Sequence, residues 1–233
     1  MTRLTKNYFK CCIGVLALIL LLSIVVRFSF KGYKTVEELI NNEDIKNYSV
    51  TIDDDYTDTF CDINDYKELK NISSVIAKIK VCGNRELYFN DAIKTKVNIE
   101  KIYKGNIKEN EKIVIFEPAT ISYCVDNAYV STEGYQLMED DEEYYVFLQS
   151  LKCAKGYKKS VKENNMYTPC TTIYSVIPVK EKRCGLLEKD KLENDEYKYK
   201  EVNGLEILTT SAASLNKYQR IKKEFVREYI EKL

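Results

Sequence analysis

The sequence predicts a mainly β chain with flanking helices, of the α+β class, that begins with a transmembrane helix. Three patterns favour this fold: an uncharged apolar run near the start, several segments with period-two alternation after residue 74, and a final segment with apolar residues at helical spacing. They divide the 233 residues into five predicted regions. These are a basic head at 1–10, a signal anchor at 11–30, a juxtamembrane helix and acidic loop at 31–73, a small β-barrel at 74–180, and a linker with a C-terminal helix at 181–233.

The apolar run "CCIGVLALILLLSIVV" occupies residues 11–26 and contains no charged residue. As a helix it spans about 24 Å, and extension to Phe30 gives about 30 Å, the thickness of a bilayer's hydrocarbon core. No small-x-small cleavage site follows the run. This absence favours a retained anchor over a cleaved signal peptide or a buried helix of a soluble domain.

Charges around the run predict its orientation. Arg3, Lys6 and Lys10 precede the run, and the positive-inside rule keeps such a basic head in the cytoplasm. Arg27 and Lys31 on the other side weaken this bias. We therefore expect a single-pass protein of the cell membrane, with a cytoplasmic N-terminus and the C-terminal domain outside.

The segment between the anchor and residue 74 predicts a short helix and then a polar loop. Thr35 and Glu38 have the spacing of a capping box, which favours a helix start. An acidic stretch with Asp53, Asp54 and Asp55 follows. It lacks the alternation and the glycine of an EF-hand loop, so we interpret it as a solvated loop with one brief strand rather than a calcium site.

Five segments with strand character follow: "SVIAKIKVCG", "AIKTKVNIEKIYKG", "EKIVIFEP", "EYYVFLQSL" and "CTTIYSVIPV". The second one alternates until Lys101, where a slip of phase indicates a β-bulge, and Gly105 then begins a turn. Short strands separated by turns are typical of a small barrel or sandwich. In the last segment apolar residues recur every three or four positions, which predicts an amphipathic helix on that barrel: Leu215, Tyr218, Ile221, Phe225, Tyr229 and Leu233.

The first four strands also carry a resemblance to a known family. "SVIAKIKV", "TKVNIEKIYKGNIKENEKIVI" and "GYQLMEDDEEYYVFL" together resemble a bacterial version of the netrin-like, or inhibitor-of-metalloproteinase-like, OB-fold domain. The resemblance covers residues 74–180 and rests on structural positions: Val97, Ile99, Ile102, Lys104, Gly105, Tyr145, Phe147 and Leu148. It implies an OB-like barrel. The family's inhibitors reach zinc through a free N-terminal cysteine, and this mechanism does not carry over to a chain whose N-terminus precedes an anchor.

Composition excludes several classes of function. The chain has no histidine, so it cannot build a Ser-His-Asp or Cys-His centre, and it lacks the commonest zinc ligand. Four of the 36 basic residues lie in the first 30 positions, which leaves 32 basic against 36 acidic residues in the remainder. This acidic balance argues against a nucleic-acid partner, because phosphate binding requires a basic surface. We expect no cofactor and no metal.

Six cysteines lie outside the anchor: Cys61, Cys82, Cys124, Cys153, Cys170 and Cys184. An even number in an exported domain is consistent with three disulfides, although an anaerobic source would leave all six reduced. Cys153 and Cys170 end and begin two strands that we expect to be adjacent and antiparallel. They are therefore the first candidate disulfide.

Tyrosines supply the candidate binding residues. Tyr123, Tyr129 and Tyr135 flank the long connection between predicted strands, and tyrosine is favoured at recognition surfaces. The acidic run "EDDEE" at 139–143 could hold a hard cation, but five consecutive acids cannot all face one ion, so we interpret it as a solvated turn.

From these observations we expect a membrane-anchored extracytoplasmic binding or assembly module without catalysis of its own. Its partner would be an unidentified protein or a cell-wall glycan. The alternative is a cell-envelope enzyme with a Lys/Ser or carboxylate centre. Two coupled carboxylates or a Ser-Lys pair in a pocket would favour the enzyme, whereas an open groove would favour binding.

Overall fold

The computed structural model describes residues 3–29, 43–53, 60, 62–83, 85–88, 92–122, 127–151, 156–160 and 163–231. The chain forms two compact units, Met1–Lys34 and Thr35–Leu233. The helices of the described chain are α1 Arg3–Ser29, α2 Tyr66–Ile72, α3 Lys189–Glu193, α4 Tyr199–Val202 and α5 Ala212–Tyr229. Single turns of 3₁₀-helix lie at Glu43–Asn47 and Glu163–Asn165. The strands are β1 Ser49–Asp53, β2 Val75–Val81, β3 Glu86–Tyr88, β4 Ala92–Lys104, β5 Lys112–Glu117, β6 Ala119–Ser122, β7 Ala128–Thr132, β8 Glu143–Ser150, β9 Met166–Pro169 and β10 Val176–Pro178.

Helix α1 makes up most of the first unit. Its large apolar side chains from Ile13 to Val26 are between 51% and 61% exposed. In the part of the chain that the structure describes, no helix combines the length and the apolar character needed to cross a membrane.

Five strands of the second unit close into a barrel. Strand β2 pairs with β4, β4 with β5, β5 with β9, β9 with β8, and β8 returns to β2. All of these pairings are antiparallel except β5 with β9, which is parallel. This closed ring is compatible with the predicted OB-like barrel, and the mixed α+β class is confirmed. Alternate residues on facing strands form its interior and are fully buried, among them Ala77, Ile79, Val81, Val97, Ile99, Ile115 and Val146.

The pairing of strand β4 is irregular where the sequence pattern slips. The pairing of β2 with β4 shifts register twice, between Ile76 and Ala77 and between Lys78 and Ile79. The strand ends at Lys104 and is followed by Gly105, whose φ is +117°. A Cβ at this position would lie 2.9 Å from the Ser74 carbonyl oxygen, so the turn needs glycine. The predicted bulge and turn are both confirmed.

A second, three-stranded sheet contains β1, β7 and β6, in that order. Strand β1 pairs with β7 in parallel, and β6 with β7 in antiparallel orientation. Strands β6 and β7 fall within the region predicted to form only barrel, whereas β1 is the brief strand predicted before it. The segment that contains β6 and β7 therefore forms part of a small sheet beside the barrel.

Helix α5 packs on the outside of the barrel, as predicted. Its apolar stripe buries Tyr218, Ile221 and Phe225. The Phe225 ring centroid lies 5.4 Å from that of Phe147 and 4.9 Å from that of Tyr145. Ser211 caps the helix by accepting a hydrogen bond from the Ser214 N–H. Position 233, which was predicted to extend the stripe, lies outside the described residues.

Two sequence expectations need comment. The fifth predicted strand, "CTTIYSVIPV", is a strand only at Val176–Pro178. Within the described chain it pairs with β8 alone, at Tyr144–Val146, so it does not close the ring. The fifth barrel strand is Met166–Pro169, which the sequence pattern did not reveal. Most of the segment predicted to form the juxtamembrane helix lies outside the described residues, and its described part contains a 3₁₀-helix at Glu43–Asn47.

Candidate functional site

A cleft in the described second unit has a volume of about 870 Å³. Its lining comes from strand β1, the β7 turn, the segment that follows β9, helix α3, and the segment that leads into α5. Seven lining residues are serine or threonine: Thr51, Thr171, Thr172, Thr209, Thr210, Ser211 and Ser214. Four carry a carboxylate: Asp62, Glu133, Glu193 and Asp195. Many convergent polar groups in a concave surface make this cleft the default binding site.

The turn after β9 fixes one wall of the cleft. Thr171 accepts a hydrogen bond from the Tyr174 N–H over 3.0 Å, and its own N–H donates to the Ser175 hydroxyl over 2.7 Å. These bonds close the turn without β-sheet pairing and keep Thr171 and Thr172 buried. The Tyr174 side chain, which is 8% exposed, also contributes to this wall, and the Lys217 ammonium lies 4.9 Å from its ring centroid.

The backbone conformation and hydrogen bonds of Glu133 fix its position in the lining of the cleft. Its φ is +48°, its N–H donates to the Asp53 carbonyl over 2.9 Å, and its carboxylate accepts a hydrogen bond from the Thr172 hydroxyl over 2.9 Å. The next residue, Gly134, accepts a hydrogen bond from the Leu208 N–H. A Cβ on Gly134 would lie only 2.0 Å from the Leu208 carbonyl oxygen, so only glycine allows this close approach.

Helix α3 and the residues after it supply the opposite side. Asp195 accepts a hydrogen bond from the Thr51 hydroxyl over 3.3 Å, and Glu193 lies 3.4 Å from the Lys189 ammonium. Strand β1 therefore anchors two cleft carboxylates, because Thr51 contacts Asp195 and Asp53 holds the backbone of Glu133. The two anchor points are two residues apart, or about 7 Å along the strand.

Sequence reasoning did not identify this cleft. Its residues come from short stretches of chain that extend from Thr51 to Ser214 and show neither helical nor strand periodicity. The one local signal was "TTSAAS" at 209–214, a run of capping residues before a helix.

The predicted tyrosines lie elsewhere. Tyr129 is 0% and Tyr135 1% exposed, so their predicted place on an exposed recognition surface is wrong. The Tyr135 hydroxyl donates to Glu117 over 2.9 Å, and the Tyr129 hydroxyl donates to the Tyr135 carbonyl over 3.2 Å. These hydrogen bonds make the two side chains part of a buried polar network beside the small sheet. Tyr123 lies outside the described residues.

Glu117 is the centre of that network. It is fully buried, and it accepts hydrogen bonds from the Thr95 hydroxyl, the Tyr135 hydroxyl and the Met138 N–H. Burial raises the pKa of Glu117, although the Arg85 guanidinium and these hydrogen bonds oppose the shift. Arg85 lies 3.7 Å from Glu117 but 2.6 Å from Asp140, so its charge is shared between two carboxylates.

The acidic run at 139–143 is engaged in ion pairs. Each of its five carboxylates lies within 4.0 Å of a different lysine or arginine. The pairs are Glu139–Lys182, Asp140–Arg85, Asp141–Lys80, Glu142–Lys180 and Glu143–Lys78. Within the described residues, no group of three Asp, Glu or Cys side chains could hold a metal ion.

A smaller pocket of about 390 Å³ contains Cys184, Lys182 and Glu206. Burial and the nearby Glu206 carboxylate raise the pKa of the Cys184 thiol, which disfavours the nucleophilic thiolate. Burial lowers the pKa of Lys182, but hydrogen bonds to Glu139 and Tyr144 outweigh it and raise the pKa overall. A protonated lysine and a protonated thiol do not form a catalytic pair.

The candidate disulfide is not testable within the described residues, because Cys153 lies outside them. Cys170 is buried, and its thiol lies 3.5 Å from the Ser73 hydroxyl. The segment predicted to begin a strand at Cys170 forms a strand only at β10, which pairs antiparallel with β8.

The outer face of β3, β4 and β5 is a second candidate surface. Tyr88 and Phe116 stack edge to face with ring centroids 5.2 Å apart, and the Lys94 ammonium lies 4.1 Å from the Tyr88 centroid.

Comparison of the sequence with protein-family models and with curated proteins gives no match. The resemblance to the netrin-like domain therefore stays a prediction, and the site must be interpreted from its own chemistry.

Proposed function

We propose that the chain is a membrane-anchored extracytoplasmic binding module that holds a glycan in the polar cleft and performs no chemistry on it. One observation carries the proposal: hydroxyl groups, carboxylates and the Tyr174 ring converge in a cleft large enough for several sugar units. Hydroxyl and carboxylate oxygens are suited to hydrogen bonding with the hydroxyls of a sugar.

The fold supports the same proposal. A small closed barrel of the OB type binds oligosaccharides in several families, although fold alone does not determine function. We propose a netrin-like OB-like domain for residues 74–180, supported by the closed five-stranded ring and the glycine turn at Gly105.

The anchor is supported by the exposed apolar side chains of α1. Soluble surfaces rarely present so many large apolar side chains together, and such patches typically mark membrane or protein contacts. The exposed stretch from Cys12 to Val26 spans about 22 Å, and residues 27–30 would complete a membrane crossing of about 30 Å. The basic head then places the second unit outside.

The anchor and its orientation have a direct test. Protease added to intact cells should digest the second unit, and the purified chain should keep its original N-terminus. A mature chain that begins after Val26 would contradict the retained anchor.

Glycan binding is tested with the full chain in lipid nanodiscs by isothermal titration with a tetramer of N-acetylglucosamine. Thr172→Val removes the hydroxyl that orients Glu133, and we expect it to weaken binding about fivefold. The matched control, Tyr88→Ala, changes the outer β3–β5 face and should leave affinity unchanged.

Two results would contradict this assignment. Absence of heat of binding would remove the glycan proposal, and loss of affinity in Tyr88→Ala alone would move the site to the outer face. Shortened oligosaccharides after incubation would favour the enzymatic alternative, in which two cleft carboxylates act as acid and base.

A further inference from the structure

The charge of the cleft indicates which glycan it selects; this inference rests on the proposed function. Among the described lining residues there are four carboxylates and one lysine, Lys189, whose ammonium lies 3.4 Å from Glu193. Lys217, beside the lining, lies 4.0 Å from Asp62, so the carboxylates of Glu133 and Asp195 supply the remaining negative charge. The N-terminus of α5 adds only about half a positive charge. The cleft therefore remains negative, and the field within a concave site is concentrated by its low-dielectric walls.

Two of the carboxylates are placed to accept a cationic group. Glu133 and Asp195 each accept one hydrogen bond from a threonine hydroxyl, at 2.9 Å and 3.3 Å. A carboxylate has about four acceptor positions, so these contacts leave others for a ligand. A neutral hydroxyl orients each carboxylate without neutralising it.

The position of Glu133 is also fixed before binding. Its backbone is tied to Asp53 and, through Gly134, to Leu208. A group held in place by backbone contacts loses little conformational entropy when a ligand binds, which favours affinity.

We propose that the cleft recognises a glycan that carries free amino groups, with a protonated sugar amine bound at Glu133 and Asp195. The threonine and serine hydroxyls contact the neighbouring sugar hydroxyls. Anionic glycans are excluded because they would place like charges against the same carboxylates.

The test compares two tetramers, one of glucosamine and one of N-acetylglucosamine, by titration into the full chain in nanodiscs at about pH 6. We expect the glucosamine tetramer to bind about tenfold more tightly, because a charge-assisted hydrogen bond is stronger than a neutral one. Added salt should reduce this preference.

Variants test whether Glu133 and Asp195 cause the preference for the glucosamine tetramer. The double variant Glu133→Gln with Asp195→Asn should bind both tetramers with affinities within about twofold of each other, and each single variant should lose part of the preference. The matched control is Glu109→Gln, an exposed acid in the β4–β5 turn, which should keep the full preference.

Each contrary result has one meaning. Equal binding of the two tetramers to the original chain overturns the amine preference but keeps glycan binding. A preference that persists in the double variant also overturns the inference. Tighter binding of a lysine-rich peptide than of either tetramer assigns the site to a peptide and overturns it. Binding of neither tetramer overturns the proposed function itself.

Discussion

The barrel gathers aliphatic side chains from paired strands into one interior, whereas the cleft gathers polar side chains from separate loops and chain ends. In the barrel each residue is positioned by its ladder neighbours, as Ile79 is by Ile99. In the cleft each residue depends on one or two specific bonds, such as that between Thr172 and Glu133. Stability and recognition are therefore carried by different residues, and substitutions in the two regions should affect different measurements.

The largest effect is expected in the barrel. Ile99→Ala removes a fully buried side chain between β2 and β5 and should lower the free energy of unfolding by about 4 kcal/mol, since the cavity cannot collapse within a closed ring. Thermal and denaturant unfolding of the full chain in detergent micelles measures it. Lys96→Ala on the exposed side of the same strand should cost less than about 0.5 kcal/mol. Equal losses for the two variants would show that the barrel interior is assigned to the wrong face.

A substitution next to the cleft should have the second largest effect. Gly134→Ala brings a Cβ against the Leu208 carbonyl and adds the strain of a φ of +88°, for an expected loss of about 3 kcal/mol. Gly204→Ala is the control, because its φ is +82° but no atom lies within 4 Å of the added Cβ. It should lose only about 1 kcal/mol. Similar losses would mean that the close approach of Gly134 to Leu208 is not tight.

The stability contributed by the buried network around Glu117 should depend on pH. Because burial raises the folded-state pKa of Glu117, the folded chain binds this proton more strongly than the unfolded chain does. Its contribution to stability is therefore present at low pH and is lost as pH rises from about 4.5, the unfolded value, through the raised folded pKa.

Glu117→Gln should remove this dependence and cost about 2 kcal/mol, since an amide cannot accept all the hydrogen bonds that the carboxylate accepts. Unfolding measured over a pH series, in the original chain and the variant, gives the difference in slope. A difference between the two chains that is constant across the series would contradict the raised pKa.

The periodic part of the molecule was predictable from sequence. Alternation located β2, β4, β5 and β8, and helical spacing located α5, because burial of one face imposes those periods. In β5 every second residue is buried, namely Ile113, Ile115 and Glu117. The alternation that predicted this strand therefore also predicted a buried Glu117, although the strand prediction did not use it. Strand β9 was missed because four residues that end at Pro169 are too few to show a period.

The cleft was not predictable by such means. Glu133 and Asp195 lie at turns with positive φ, where local sequence says little about which distant segment will be near. Their proximity to β1 is a consequence of the parallel pairing of β1 with β7 and of the docking of the segment around Tyr197, whose carbonyl accepts from Val50. These are long-range contacts that no window of the sequence contains.

The smallest effect on stability is expected for Thr51→Val, a variant that should change affinity more than stability. Thr51→Val keeps the size and β-branching of the side chain in β1 and removes only the hydroxyl that donates to Asp195 over 3.3 Å. Because that hydrogen bond is long and exposed, the free energy of unfolding should change by less than about 0.5 kcal/mol. Affinity for the glucosamine tetramer should nevertheless fall about threefold, since Asp195 loses the bond that orients it. Titration and unfolding of the same preparation separate the two quantities. A loss of stability without a loss of affinity would show that Thr51 stabilises the fold, as the barrel residues do, and does not contribute to binding. The separation of stability and recognition between the two regions would then fail at strand β1.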